Sequence, residues 1–281
     1  MKHLSKLLLV FLLGFLSLAS KAQDKAYTPN KDYDYVGRQG QWWFSWGYNE
    51  EWYTNTDIHI KQPGLGNNYS FKNVIAQDKV GWDNDFFHTP LSIPQYNYRL
   101  GHWFKDNWGI EINFDHTKYE VDGPQLLHLK GTLDHRQVDT FFVNNGNLTY
   151  YLNNGANFFL FNLVHRVQVP YMRFKNFNVS FLWKAGVGFM YPHTQNIIFG
   201  KANNQGFQFG GLDAGAEGDL RFTFFKYVYL EYCNKLIFTD YWGLHVYEGT
   251  ASQHFGTYEM IANLGVNIPL GHPDRHKKKQ A

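Results

Sequence analysis

The 281-residue chain is 19% aromatic and 18% charged, with Trp 9, Tyr 19, Phe 25, Gly 26 and one Cys, yet its mean hydropathy is −0.44. An aromatic-rich chain that is hydrophilic on average is neither a helical membrane protein, which needs runs of about 20 apolar residues, nor a disordered one. A single Cys excludes a disulfide framework and a CxxC zinc or redox site, and near-neutral charge argues against nucleic acid as a partner.

The first 22 residues read as a separate object. Lys2 and Lys6 form a positive start, Leu7–Leu18 is apolar, and Ser20-Lys21-Ala22 places small residues at a cleavage site after Ala22. The apolar run is too short to span a bilayer. Removing Lys2, Lys6 and Lys21 with it lowers the basic count from 26 to 23 against 24 acids. Residues 1–22 are thus expected to be a signal peptide, 23–40 a periplasmic segment, 41–270 the folded domain, and 271–281 a basic tail carrying Arg275, Lys277, Lys278 and Lys279.

Eight segments with a period of two follow. In Gln41–Tyr53, Trp42, Phe44, Trp46 and Tyr48 oppose Ser45, Gly47 and Asn49. Gln95–Phe104 sets Tyr96, Tyr98 and Leu100 against Asn97 and Arg99, and Trp108–Val121 sets Ile110, Ile112 and Phe114 against Glu111 and Asp115. Asn157–Gln168, Phe177–Tyr191, Phe207–Phe224 and Tyr227–Tyr241 continue the pattern, and the eighth strand alternates from Tyr258 to Ile268.

The connections alternate in length. Lys105-Asp106-Asn107, Val169–Asn176 and Phe225-Lys226 are short, whereas Thr54–Pro94, Asp122–Ala156, Pro192–Gly206 and Trp242–Thr257 are long. Even strand count, short turns on one side and long loops on the other specify an all-β, antiparallel transmembrane β-barrel of eight strands. Ten strands result if alternating stretches of the first two loops, such as Tyr69–Val74 and Leu127–Lys130, also cross. Aromatics cluster at strand ends: Trp42, Trp43, Trp103 and Trp108 on the short-turn side, and Tyr48, Trp52, Tyr53, Tyr119, Tyr191, Tyr241 and Trp242 on the other. Such girdles mark two lipid–water interfaces. A soluble sandwich with an aromatic core would leave the girdles and the loop parity as coincidences.

The stretch Gln41-Trp42-Trp43-Phe44-Ser45-Trp46-Gly47-Tyr48-Asn49, with Thr56-Asp57-Ile58-His59, Asn107-Trp108 and Phe114-Asp115-His116, resembles the small eight-stranded outer-membrane barrels of Gram-negative bacteria, in a branch without assigned activity. The resemblance covers about the first 100 residues after the expected cleavage site by motif and the rest by layout. It implies the barrel fold, the bacterial outer membrane as location, outer-membrane lipid and lipopolysaccharide as surroundings, and the barrel assembly machinery as partner during insertion. It supplies no chemistry.

The inward faces gather Arg99, Glu111, Asp115, Arg166, Lys184, Asp213, Glu217, Asp219, Arg221, Glu231, Lys235 and Glu259. In a lumen just wide enough for side chains, these charges pair into a closed network; the competing reading is a cation-preferring pore. Among the 13 histidines, His254 follows Ser252 at the eighth strand and His59 follows Asp57 in the first loop. Ser252, His254, Asp57 and His59 could form an acyl-transfer site acting on outer-leaflet lipid, although the deacylase order His-x-Ser is reversed to Ser-x-His. No HxH or HxxE pair has ligand spacing on one strand face, so neither a metal nor a cofactor is expected. The expected function is surface binding or an envelope-structural role through the outer loops, with lipid modification as the alternative; the loop ligand is not specified.

Overall fold

A computed structural model describes residues 37–79, 95–121, 123–152, 155–174 and 176–270. The expected signal peptide, most of the expected periplasmic segment and the basic tail lie outside the described residues. Sixteen strands follow in chain order: β1 (Trp42–Tyr53), β2 (Thr56–Gln62), β3 (Asn67–Val74), β4 (Tyr96–Lys105), β5 (Trp108–Asp115), β6 (Tyr119–Val121), β7 (Leu126–Leu133) and β8 (Arg136–Val143). Then come β9 (Leu148–Leu152), β10 (Phe158–Phe174), β11 (Phe177–Met190), β12 (His193–Ile198), β13 (Lys201–Phe207), β14 (Gly211–Phe224), β15 (Val228–Val246) and β16 (Gly249–Ile268).

Eight of them close a ring. The order is β1-β4-β5-β10-β11-β14-β15-β16, and β16 pairs back onto β1 from Trp42↔Ile268 to Tyr53↔Thr257. All neighbours in the ring are antiparallel. The alternating stretches in the first two long connections do not add crossings: they become β2, β3, β7 and β8, which continue the sheet from the outer end of β16. The chain is an eight-stranded antiparallel transmembrane barrel.

Which way the faces point decides this. Outward positions carry Ile110, Ile112, Phe161, Val187, Leu230, Leu236, Phe238 and Leu264, each about half or more exposed. All twelve of the expected lumen charges are buried. A soluble protein does not spread so much apolar surface outward around a charged interior; a barrel in lipid must. From Val228 to Phe238 the outward positions of β15 are Val, Leu, Tyr, Asn, Leu and Phe. A strand rising ~3.3 Å per residue and tilted ~40° covers about 25 Å over that stretch, the height of a lipid-facing belt.

Beyond the belt the barrel continues as a second storey. β2 takes over from β1 alongside β16, with Ser252 opposite His59 and Thr250 opposite Lys61. A separate sheet, β13-β12-β9-β6, stands across from this extension. Between them lies an apolar core that includes Ile58, Ile60, Phe71, Leu127, Leu129, Leu148, Leu152 and Phe255. The fourth long connection is not a loop: β15 and β16 run on past Trp242 and Thr257 and turn at Tyr247-Glu248, held by the pairs His245↔Thr250 and Val246↔Gly249. The crossing strand of Trp108–Val121 ends earlier than its alternation suggests, at Asp115, with β6 as a separate short piece of the upper storey.

Candidate functional site: a filled interior and an outer head

At the short-turn end the barrel is closed by rings. Trp43 and Trp103 are fully buried, with ring centroids 4.4 Å apart, beside Val164, Leu182 and Tyr229. This corrects their assignment to a membrane girdle. A strand's side chains alternate faces, so Trp43 cannot share the outward face with Trp42, nor Trp103 with Phe104. The close fit needs bare backbone opposite. A Cβ at Gly101 would lie 1.9 Å from the Trp43 ring, and one at Gly265 would lie 2.1 Å from the Tyr229 ring. Arg221 lies over the Tyr229 ring at 4.0 Å and the Trp43 ring at 5.7 Å.

The middle of the lumen is ionic. The Lys184 ammonium lies 2.9 Å from Glu111 Oε1, 3.0 Å from Glu217 Oε1, 2.8 Å from Asp219 Oδ2 and 3.5 Å from Glu231 Oε1. Arg221 is ion-paired with Glu231, and Lys235 and Arg99 are both ion-paired with Asp115. Arg99 also reaches Glu111 at 3.9 Å and Glu217 at 3.8 Å. The indole N–H of Trp43 donates to Glu111 Oε2 at 2.8 Å, which ties the aromatic plug to the ionic layer. Arg166 sits nearer the turns, where it donates to Ser180 Oγ at 2.9 Å and Asn107 Oδ1 at 3.0 Å. Asp213 and Glu259 complete the twelve; neither carboxylate accepts a protein hydrogen bond.

Sequence reasoning missed two acids of this interior. Glu51 is buried directly opposite Glu259, and its amide donates to Asp78 Oδ2 at 2.8 Å. Glu51 was legible, since it lies in phase with Ser45, Gly47 and Asn49. Asp78 follows β3 in a segment without alternation, and no local signal marks it. Among the described residues, Glu217, Asp219, Glu231 and Cys233 offer ligand atoms within 4.8 Å of one another. The ammonium of Lys184, in contact with three of these four, already supplies the cation there.

The outer end is sealed by the apolar storey. Tyr119 and Tyr241 are fully buried in it and not placed in a girdle; Tyr119 stacks on Phe255 at 4.6 Å, and Tyr241 donates to the Ala156 carbonyl at 3.2 Å. Tyr119 lies past the end of β5, and Tyr241 shares the inward parity of Thr239. Tyr53 is also turned inward, donating to the Lys118 carbonyl at 2.9 Å. Trp42, Trp52, Trp108, Tyr191 and Trp242 do point outward, as does the half-buried Tyr48. A cleft of about 930 Å³ bordered by Ala185, Ala214, Ala216, Leu236 and Phe238 lies on the outer belt, where it meets lipid.

The four residues considered for acyl transfer are neighbours on the outward face of the upper sheet without forming a relay. Ser252 is Cα partner of His59, but His59 Nδ1 is hydrogen-bonded to Ser70 Oγ at 3.0 Å. Asp57 is taken by Lys72 at 2.7 Å and by the Asn73 amide at 2.9 Å. Burial pulls the Asp57 carboxyl up, but these two donors outweigh it and hold it below the usual carboxylate range. His254 is exposed. Among the described residues no histidine is hydrogen-bonded to Ser252.

No family model matches the chain, and no curated protein matches it. Among solved structures, Ail, the attachment invasion locus protein of Yersinia pestis, aligns over 81% of this chain and 99% of its own at 12% identity, with a TM-score of 0.30. The same values hold for its complex with the heparin analogue sucrose octasulfate. The CymD monoaromatic hydrocarbon channel aligns over 83% of this chain and 90% of its own at 10% identity, with a TM-score of 0.16. At these values the alignments assign no residue of this chain a role, and the fold stands on the chain's own geometry.

Proposed function

We propose that the chain is an exported bacterial outer-membrane barrel that conducts no solute and acts at the cell surface by binding through its outer storey. The observation that carries this reading is the layered filling of the interior: the Trp43–Trp103–Tyr229 plug, the Lys184-centred ion network, and the apolar core above them. A pore needs a continuous polar, water-filled path, and here the polar layer is stoppered by apolar layers on both sides. In this reading the belt sits among outer-membrane lipid and lipopolysaccharide after insertion by the barrel assembly machinery. The strands that project beyond it carry the binding surface.

Two measurements test the reading. Fractionated cells should yield the protein in the outer membrane as a species whose gel mobility changes on heating in detergent. Purified protein in planar bilayers should show no steady conductance. A soluble periplasmic protein, or a large steady conductance, would overturn it.

A further inference from the structure

At the summit of the outer storey three hairpin tips surround a cavity of about 420 Å³, within the usual range of small-molecule sites. The tips are Gln62–Asn67 between β2 and β3, Leu133–His135 between β7 and β8, and Ile198–Lys201 between β12 and β13. Two of them are joined by hydrogen bonds: the Asp134 amide donates to Asn67 Oδ1 at 2.7 Å and the His135 amide to the Gly66 carbonyl at 3.2 Å, while Asn67 Nδ2 braces its own tip by donating to Gln62 Oε1 at 2.9 Å. The third packs on the first hairpin through Phe199, against the Tyr69 and Phe71 rings. The frame of the cavity is therefore preformed.

Its lining combines an aromatic wall with uncommitted polar groups. Phe199 stands 6.1 Å from Tyr69 and 5.9 Å from Phe71 between ring centroids, with 39% of its surface exposed. Phe199, Asp134 and His135 all hold positive φ, at 48°, 49° and 61°. Two-residue hairpin turns ordinarily assign such positions to Asn, Asp or Gly, and His is also enriched there, so the residue out of place is Phe199. Such strained residues persist where the surroundings over-determine them and cluster at ligand sites. Tyr69 is 1% exposed and its hydroxyl has no hydrogen-bond partner. A buried hydroxyl without a partner is costly. Among the described residues the Asp134 carboxylate and the His135 imidazole, whose ring packs against Gly66, likewise make no hydrogen bond or ion pair, and Lys201 lies at the rim over the Tyr247 ring at 5.5 Å.

A ring face beside separate donors and acceptors, with the Asp134 carboxylate balanced by the Lys201 ammonium at the rim, suits a neutral molecule with an apolar face and several hydroxyls. We propose that the summit cavity binds a pyranose residue of a glycan, its apolar face against Phe199 and its hydroxyls bonded to Asp134, His135 and Tyr69 Oη. The inference rests on the surface-binding reading and names its site and ligand class.

The test uses the full chain folded in detergent micelles on a printed array of mono- to tetrasaccharides of neutral hexoses, deoxyhexoses and amino sugars. Any retained glycan is then titrated by calorimetry. Wild type should retain at least one. Tyr69→Phe and Asp134→Asn, both isosteric, should each weaken it about tenfold, and Phe199→Leu should abolish detectable binding. Lys130→Ala, on the outward face of β7, should leave it unchanged. Heat-shifted gel mobility confirms that each variant is folded, and if one misfolds the other two decide. Retention of no glycan overturns the proposal. So does a retained glycan that none of the three variants weakens; in that outcome the head binds elsewhere, and the surface-binding reading survives while this one does not.

Discussion

Replacing Lys184 with methionine should be among the most damaging single changes in the lumen. Its ammonium contacts Glu111, Glu217, Asp219 and Glu231 at 2.8–3.5 Å, and all four carboxylates are buried. Without it, Arg221 still holds Glu231, and Arg99 remains 3.8–3.9 Å from Glu217 and Glu111. Asp219 has no other cation among the described residues. Leaving one buried charge uncompensated costs about 3–5 kcal/mol, or roughly two to four powers of ten in the folding equilibrium. Glu217→Gln removes one of four acids around the lysine and should cost no more than about 1 kcal/mol. Urea titration of the barrel refolded into lipid vesicles, followed by tryptophan fluorescence, gives both values. If Lys184→Met lies within 1 kcal/mol of wild type, or Glu217→Gln is as damaging, the ammonium is not the centre of the network.

Trp43→Ala removes a fully buried ring and the donor to Glu111, and should cost about 3–5 kcal/mol in the same titration. Its planar-bilayer trace should stay silent because the ion network and the apolar storey still fill the interior. Gly101→Ala should destabilise by about 1–3 kcal/mol or more, since its Cβ would fall 1.9 Å from the Trp43 ring; combined with Trp43→Ala, the glycine substitution should become nearly neutral. The Asp57–Lys72 pair joins β2 to β3. Because the folded carboxyl titrates below its unfolded value near 3.9, its contribution is present above that pH and is lost as pH falls through the lowered value. Both side chains are well exposed, so the loss should be well under 1 kcal/mol. Amide protection factors in β2 and β3, taken against the intrinsic exchange rate at each pH, should fall between pH 7 and pH 3 more than they do in the Lys72→Met variant.

The sequence by itself determined the crossing strands, their parity and the twelve lumen charges, because all of these depend on a period of two that each segment carries locally. Glu111 and Asp115 had to share a face, and Trp42 had to oppose Ser45, wherever the neighbouring strands lay. The same rule, applied strictly, would also have turned Trp43 and Trp103 inward; composition at the strand ends, where girdles are expected, pointed the other way. What only the tertiary structure decided is how segments distant in the chain meet. Strand alternation cannot say whether β2 crosses the lipid or stands above it, since an amphipathic strand looks alike in both places; the pairing of His59 with Ser252 settles it. Nor could it bring Lys184 of β11 among acids from β5, β14 and β15, or gather Gln62–Asn67, Leu133–His135 and Ile198–Lys201 around one cavity. Those contacts depend on barrel closure and on hairpins leaning together over an apolar core, and neither leaves a periodic trace in the chain.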